Sequence, residues 1–95
     1  MEKKTSKARG PHMPSEYDVA DVSAIQALLI GDATAEQQKR ALDWIIIKAS
    51  GAYEFNYYPS DRDTSFALGR SFVGQQIIKL TKLNISKLRK ESNVV

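Results

Sequence analysis

The sequence predicts an all-α fold: a small three-helix domain with an aromatic connection between helices two and three, a disordered basic N-terminal arm and a basic C-terminal tail. Three observations carry this expectation. Apolar residues recur at three-to-four spacing in three windows, glycine closes the first two windows, and acidic or hydroxyl side chains open each of them. At 95 residues, with 42% apolar and 26% charged content, the chain is the size of one small domain. Such a chain leaves a large share of its surface uncovered, so association with further copies is expected. The expected boundaries are an arm over 1–16, a helical domain over 17–84 and a tail over 85–95.

Residues 1–16 are dominated by Lys, Ser, Gly and Pro, and Pro11 and Pro14 exclude a continuous helix there. The first helix is expected from Val19 to Ile30, with Val22, Ile25, Leu28 and Leu29 as its buried stripe and Asp18 and Asp21 in its first turn, where the helix dipole favours acids. Gly31 ends it. Thr34 and Gln37 then fit a capping box that opens a second helix running to about Ser50. Its stripe is Ala41, Leu42, Ile45, Ile46 and Ala49, and Trp44 and Ile47 widen the apolar arc beyond what one neighbouring helix needs. A second partner, from this chain or another subunit, is implied.

Gly51 stops helix two, and Ala52-Tyr-Glu-Phe-Asn-Tyr-Tyr-Pro-Ser60 is an extended aromatic connection in which Pro59 argues against a central strand. Alternation along it is expected to bury one pair among Tyr53, Phe55, Tyr57 and Tyr58 and to expose the other; the competing role is a stacking platform for unpaired bases. Asp61, Asp63 and Thr64 are the cap candidates for helix three, whose stripe is Phe66, Ala67, Val73, Ile77, Leu80 and Leu83, widened by Phe72 and Ile78. From Asn84 the chain is expected to add one basic turn through Leu88.

Helix three carries glycines where a helix would not choose them. A mid-helix glycine costs roughly 0.8–1.0 kcal/mol relative to alanine, so Gly69 and Gly74 predict close packing or a need for bare backbone. They are too widely set for a phosphate loop, and no Gly-Lys-Ser/Thr follows. Arg70 between them is expected to pair with Asp61 or Asp63, or else to face a partner.

Charge is unevenly placed. Residues 1–14 carry four bases against one acid, residues 79–95 five against one, and residues 15–78 five against nine. Basic ends on an acidic body suit attachment to DNA or RNA phosphates; the plainer purpose of the same lysines is solubility. There is no cysteine, and His12 is the sole histidine, which removes thiolate chemistry and a paired-histidine metal site. Asp61, Arg62 and Asp63 could bind a cation but fit a helix start better. With no nucleophile–base pair, no metal cluster and no cofactor motif, no enzymatic activity and no cofactor are expected. The longest apolar run, Trp44-Ile-Ile-Ile47, is too short to span a bilayer, so no membrane association is expected.

The runs Pro14-Ser-Glu-Tyr-Asp18, Gly31-Asp-Ala-Thr-Ala-Glu-Gln-Gln38, Ala41-Leu-Asp-Trp44, Gly51-Ala-Tyr53 and Gly69-Arg-Ser-Phe-Val-Gly74 together resemble the small helical phage proteins of the head and DNA-packaging gene module, typified by one from a Bordetella short-tailed phage. The resemblance spans about residues 14–83, and Gly-Arg-x-Phe-Val-Gly is its most specific part. It implies virion assembly or genome packaging, in the host cytoplasm or the virion, and it supplies no catalytic residues. The expectation is a homo-oligomeric, non-enzymatic assembly factor, in the manner of a small terminase subunit, with double-stranded DNA and a large terminase, portal or capsid protein as partners. Phosphates would be neutralised by Lys3, Lys4, Lys7, Arg9, Lys82, Lys87, Arg89 and Lys90. Trp44, Ile47, Gly69, Arg70, Phe72 and Gly74 would serve the interface or close packing. The alternatives are a structural virion protein bound to portal or capsid, and a helix-turn-helix regulator reading bases through Gln37, Gln38 and Arg40.

Overall fold

The computed structural model describes residues 10–92. Among these, all regular structure is helical: α1 is Val19–Leu29, α2 is Ala35–Asp43 and runs directly into a π-helical turn at Trp44–Ala49, α3 is Asp61–Lys82 and α4 is Ile85–Ser92. The all-α expectation holds, with four helices in place of three. The additional one, α4, continues past Leu88 because the Asn84 Oδ1 accepts the Lys87 amide at 2.9 Å and starts a new helix after the extended Leu83.

Local chemistry explains most helix ends. At α1, Asp18 and Asp21 form a reciprocal capping box. Gly31, at φ 75°, closes the helix in a Schellman motif, its amide bonding the Leu28 carbonyl while the Asp32 amide reaches the Ala27 carbonyl. Thr34 and Gln37 form the second box, as their spacing predicts. The cap of α3 is Ser60, whose Oγ accepts the Asp63 amide, rather than Asp61, Asp63 or Thr64. Thr64 instead braces the preceding loop, bonding both the amide and the carbonyl of Tyr58.

The expected uninterrupted α-helix over Thr34–Ser50 changes at Trp44. There the bonds lengthen to i→i+5, seen in the 2.9 Å bond from the Ser50 amide to the Ile45 carbonyl. Ala41 and Ile46 are buried as expected, Ser50 joins them, and Leu42, expected inside, is exposed. Gly51, at φ 64°, then reverses the chain.

α1 lies on α2, and α3 lies on the π-turn. The Cα trace measures 55 × 36 × 16 Å. Its shortest dimension accommodates no more than two helices, whose axes pack about 8–10 Å apart, so no further layer covers the outer faces. Among the described residues, the buried apolar side chains are Ala24, Ala41, Ile46, Ala52 and Ala67, and no large side chain is fully buried. Alanine contacts bring backbones close but remove little apolar area from water.

The expected helix stripes are consequently displaced. On α1, Asp21 and Ala24 are buried, while Val22, Leu28 and Leu29 face outward. On α3, the inward face is Ala67, Ser71 and Gly74, and Phe66, Val73, Leu80 and Leu83 remain exposed. The physical reason on α3 is proximity: at Gly74 the helix meets the Ser50 and Ala52 side chains so closely that no side chain fits between them. The aromatic connection departs from expectation in the same way. Tyr53, Phe55 and Tyr57 are all exposed and Tyr58 is half-buried, while Ala52 and Asn56 point inward. Asn56 takes the inner place because its amide donates to the carbonyls of Glu54 and Gly51, which closes the turn.

Residues 10–16, expected as the end of a disordered arm, are docked. The Ser15 hydroxyl donates to the Lys48 carbonyl at 2.9 Å, the Trp44 indole donates to the Glu16 carbonyl at 3.0 Å, and Pro11 is buried.

Candidate nucleic-acid and assembly interface

Two polar clamps hold the elements in place. The first joins α1 to α2: Arg40 donates through Nε to the buried Asp21 carboxylate at 2.9 Å and through a terminal nitrogen to Asp18 at 3.0 Å, with Lys48 at 3.8 Å from Asp21. The hydrogen bond from the Asp21 amide, and then Arg40 and Lys48 acting against partial desolvation, hold the Asp18 carboxyl below its ordinary range. The hydrogen bond to Asp21 in turn raises the Arg40 guanidinium, so it stays charged throughout the working pH range.

The second clamp is built by the Gly-Arg-x-Phe-Val-Gly element, whose residues divide between two faces of α3. Arg70 and Gly74, one helical turn apart, face the body. Arg70 reaches Glu54 at 3.2 Å and the Pro11 carbonyl at 3.4 Å, and does not pair with Asp61 or Asp63 as expected. The loop after Gly51 folds back toward α3, and so Glu54 lies nearer than the acids of the first turn. Gly74 lies against Ser50 and Ala52: a methyl group in its place would meet the Ser50 side chain and come within 2.9 Å of the Ala52 Cβ. Ser50 cannot readily yield, because its hydroxyl bonds the Ile46 carbonyl at 2.7 Å. The neighbouring Gln75 amide adds a 3.0 Å bond to the Ala52 carbonyl.

Gly69 and Phe72 face the other way. Among the described residues nothing lies within 4 Å of a methyl group placed on Gly69, so the close packing expected at both glycines is seen within the chain only at Gly74. Phe72 is 61% exposed. Of the remaining interface candidates, Ile47 is exposed and Trp44 is half-buried with its indole nitrogen bonded to Glu16. Among the basic candidates, Lys82 closes α3, and Lys87, Arg89 and Lys90 stand exposed on α4. Lys3, Lys4, Lys7 and Arg9 lie outside the described residues. Sequence reasoning missed Asp18, Asp21 and Glu54 as clamp residues; the acids in the first turn of α1 were the available signal for two of them.

The helix-turn-helix candidates are occupied within the chain. Gln37 closes its capping box, Gln38 donates to the Ala33 carbonyl at 3.1 Å, and Arg40 is held by Asp18 and Asp21. No helix among the described residues is long and apolar enough to cross a membrane. No protein-family model, curated protein or solved structure matches the chain.

Proposed function

We propose that this protein is a non-enzymatic phage assembly factor that works as a homo-oligomer and presents double-stranded DNA to the packaging machinery, in the manner of a small terminase subunit. The observation that carries this reading is the orientation of α3. Its small residues face its own chain while Phe66, Phe72, Val73 and Leu80 face outward, an arrangement suited to contacts between subunits. The exposed bases of α4 supply a surface for phosphate, and the resemblance of Gly69-Arg-Ser-Phe-Val-Gly74 and its companion runs to phage head-module proteins supplies the biological setting. The internal engagement of Gln37, Gln38 and Arg40 weighs against a base-reading regulator, since sequence-specific readout needs those side chains free.

Native mass spectrometry of the full chain, with and without a short duplex at low and moderate salt, tests the proposal. A discrete oligomer that takes up DNA in a salt-sensitive way is the expected result. A monomer or dimer indifferent to DNA would transfer the assignment to a structural virion protein that docks on portal or capsid.

A further inference from the structure

The outward residues of α3 follow a pattern that reads the same in both directions. Phe66, Gly69, Val73, Ile77 and Leu80 are separated by three, four, four and three residues, so they share one stripe and are symmetric about Val73. Phe66, Val73 and Leu80 are each at least 50% exposed. Ile77 is half-buried at the edge of the stripe, and Gly69 opens onto empty space. Among the described residues nothing packs against that position to call for a glycine.

We infer that the partner of this face is a second copy of the same chain, with the two α3 helices antiparallel and their two-fold axis passing beside Val73. In that register Phe66 of each copy lies opposite Leu80 of the other, and Ile77 lies over Gly69, whose missing side chain makes room for it. The charges of α3 select the direction. Asp61 and Asp63 outnumber Arg62 in its first turn and leave that end net negative, whereas Lys79 and Lys82 lie in its last turn, with Lys87 following in α4. Antiparallel pairing sets each acidic end beside the other copy's basic end, whereas a parallel pair would set like against like. The inference rests on the oligomeric part of the function proposed above and not on DNA.

The absence of cysteine permits a direct test in the full chain without DNA. Val73→Cys should oxidise to a disulfide-linked dimer, because only near the axis do equivalent residues come within the roughly 7 Å between Cα atoms that a disulfide spans. Phe66→Cys and Leu80→Cys, each about 21 Å from its own counterpart in this register, should form no disulfide-linked dimer alone and should cross-link when the two variants are mixed. Gly69→Leu, whose Cβ has open space among the described residues, should keep its helical circular dichroism and weaken the dimer by about tenfold or more. Self-linking of Phe66→Cys, failure of Val73→Cys to link in a protein that still associates, or an unchanged dimer constant for Gly69→Leu would each overturn the pairing and leave the oligomeric function standing. A chain that is monomeric at every concentration would overturn both.

Discussion

Gly74 and Ser50 meet across the α3–π-turn contact with no space for a side chain between them: the Ser50 Cβ lies 3.0 Å from where a Gly74 methyl would sit. Gly69, five residues earlier on the same helix, meets nothing. The two glycines therefore respond oppositely to one substitution. Gly74→Ala should destabilise the chain by about 1–3 kcal/mol, because Ser50 or Ala52 must move. Gly69→Ala, measured at a concentration where the chain is monomeric, should stabilise it by up to about 1 kcal/mol by removing a helix-breaking residue. Denaturant midpoints check both; equal effects at the two sites would contradict the geometry.

Arg40 bonds both carboxylates of the α1 capping box, and Asp21 is buried beneath it. Arg40→Ala should lower the thermal midpoint distinctly, since it removes the charged donor bonded to a buried carboxylate and leaves Asp21 only the more distant Lys48 at 3.8 Å. Lys39→Ala, which breaks only the exposed pair with Asp43 one turn along the helix, should leave the midpoint nearly unchanged. Arg40→Lys should fall between them, because an ammonium cannot reproduce the forked contact with Asp18 and Asp21.

The same clamp sets an acid limit. Asp18 has a lowered pKa in the folded chain, so the unfolded chain binds more protons in the acid range, and stability falls as pH falls. The contribution is complete above the ordinary carboxylate value of about 4 and disappears as pH drops through the lower folded value. Acid titration followed by circular dichroism should show this loss, and Asp18→Asn should flatten that part of the curve.

Lys87, Arg89 and Lys90 are exposed on α4, which is not among the mutually packed elements. Reversing two of them to Glu should weaken duplex binding at low salt while leaving the helical signal intact. If those bases neutralise phosphates, the slope of log affinity against log salt should shrink by about 0.9 for each phosphate that is no longer neutralised. An unchanged slope would remove α4 from the DNA surface.

The helix ends were legible because they depend on neighbours in the chain. The Thr34/Gln37 box and the turns at Gly31 and Gly51 lie where spacing puts them, whereas Asp18 and Asp21, expected only as first-turn acids, form a reciprocal box, and Ser60 takes the α3 cap expected of its neighbours. The buried faces were not legible, because periodicity marks which residues are apolar and not which apolar face its own chain covers. On α3 the large face is the obvious stripe, yet the chain packs the opposite, small one. The π-turn compounds this: nothing in Trp44-Ile-Ile-Ile-Lys-Ala49 announces its longer repeat. Arg70 stands out in the sequence between its two glycines, but its partner Glu54 is brought to it by the turn at Gly51, which no local pairing rule anticipates.

The flatness of the molecule, 16 Å in its shortest dimension, bears on its thermodynamics. A fold with scarcely any interior draws little of its stability from within, so when its outer faces find their counterparts, mass action becomes part of the folding equilibrium. Its melting temperature should then climb with protein concentration, and dilution alone should act as a denaturant.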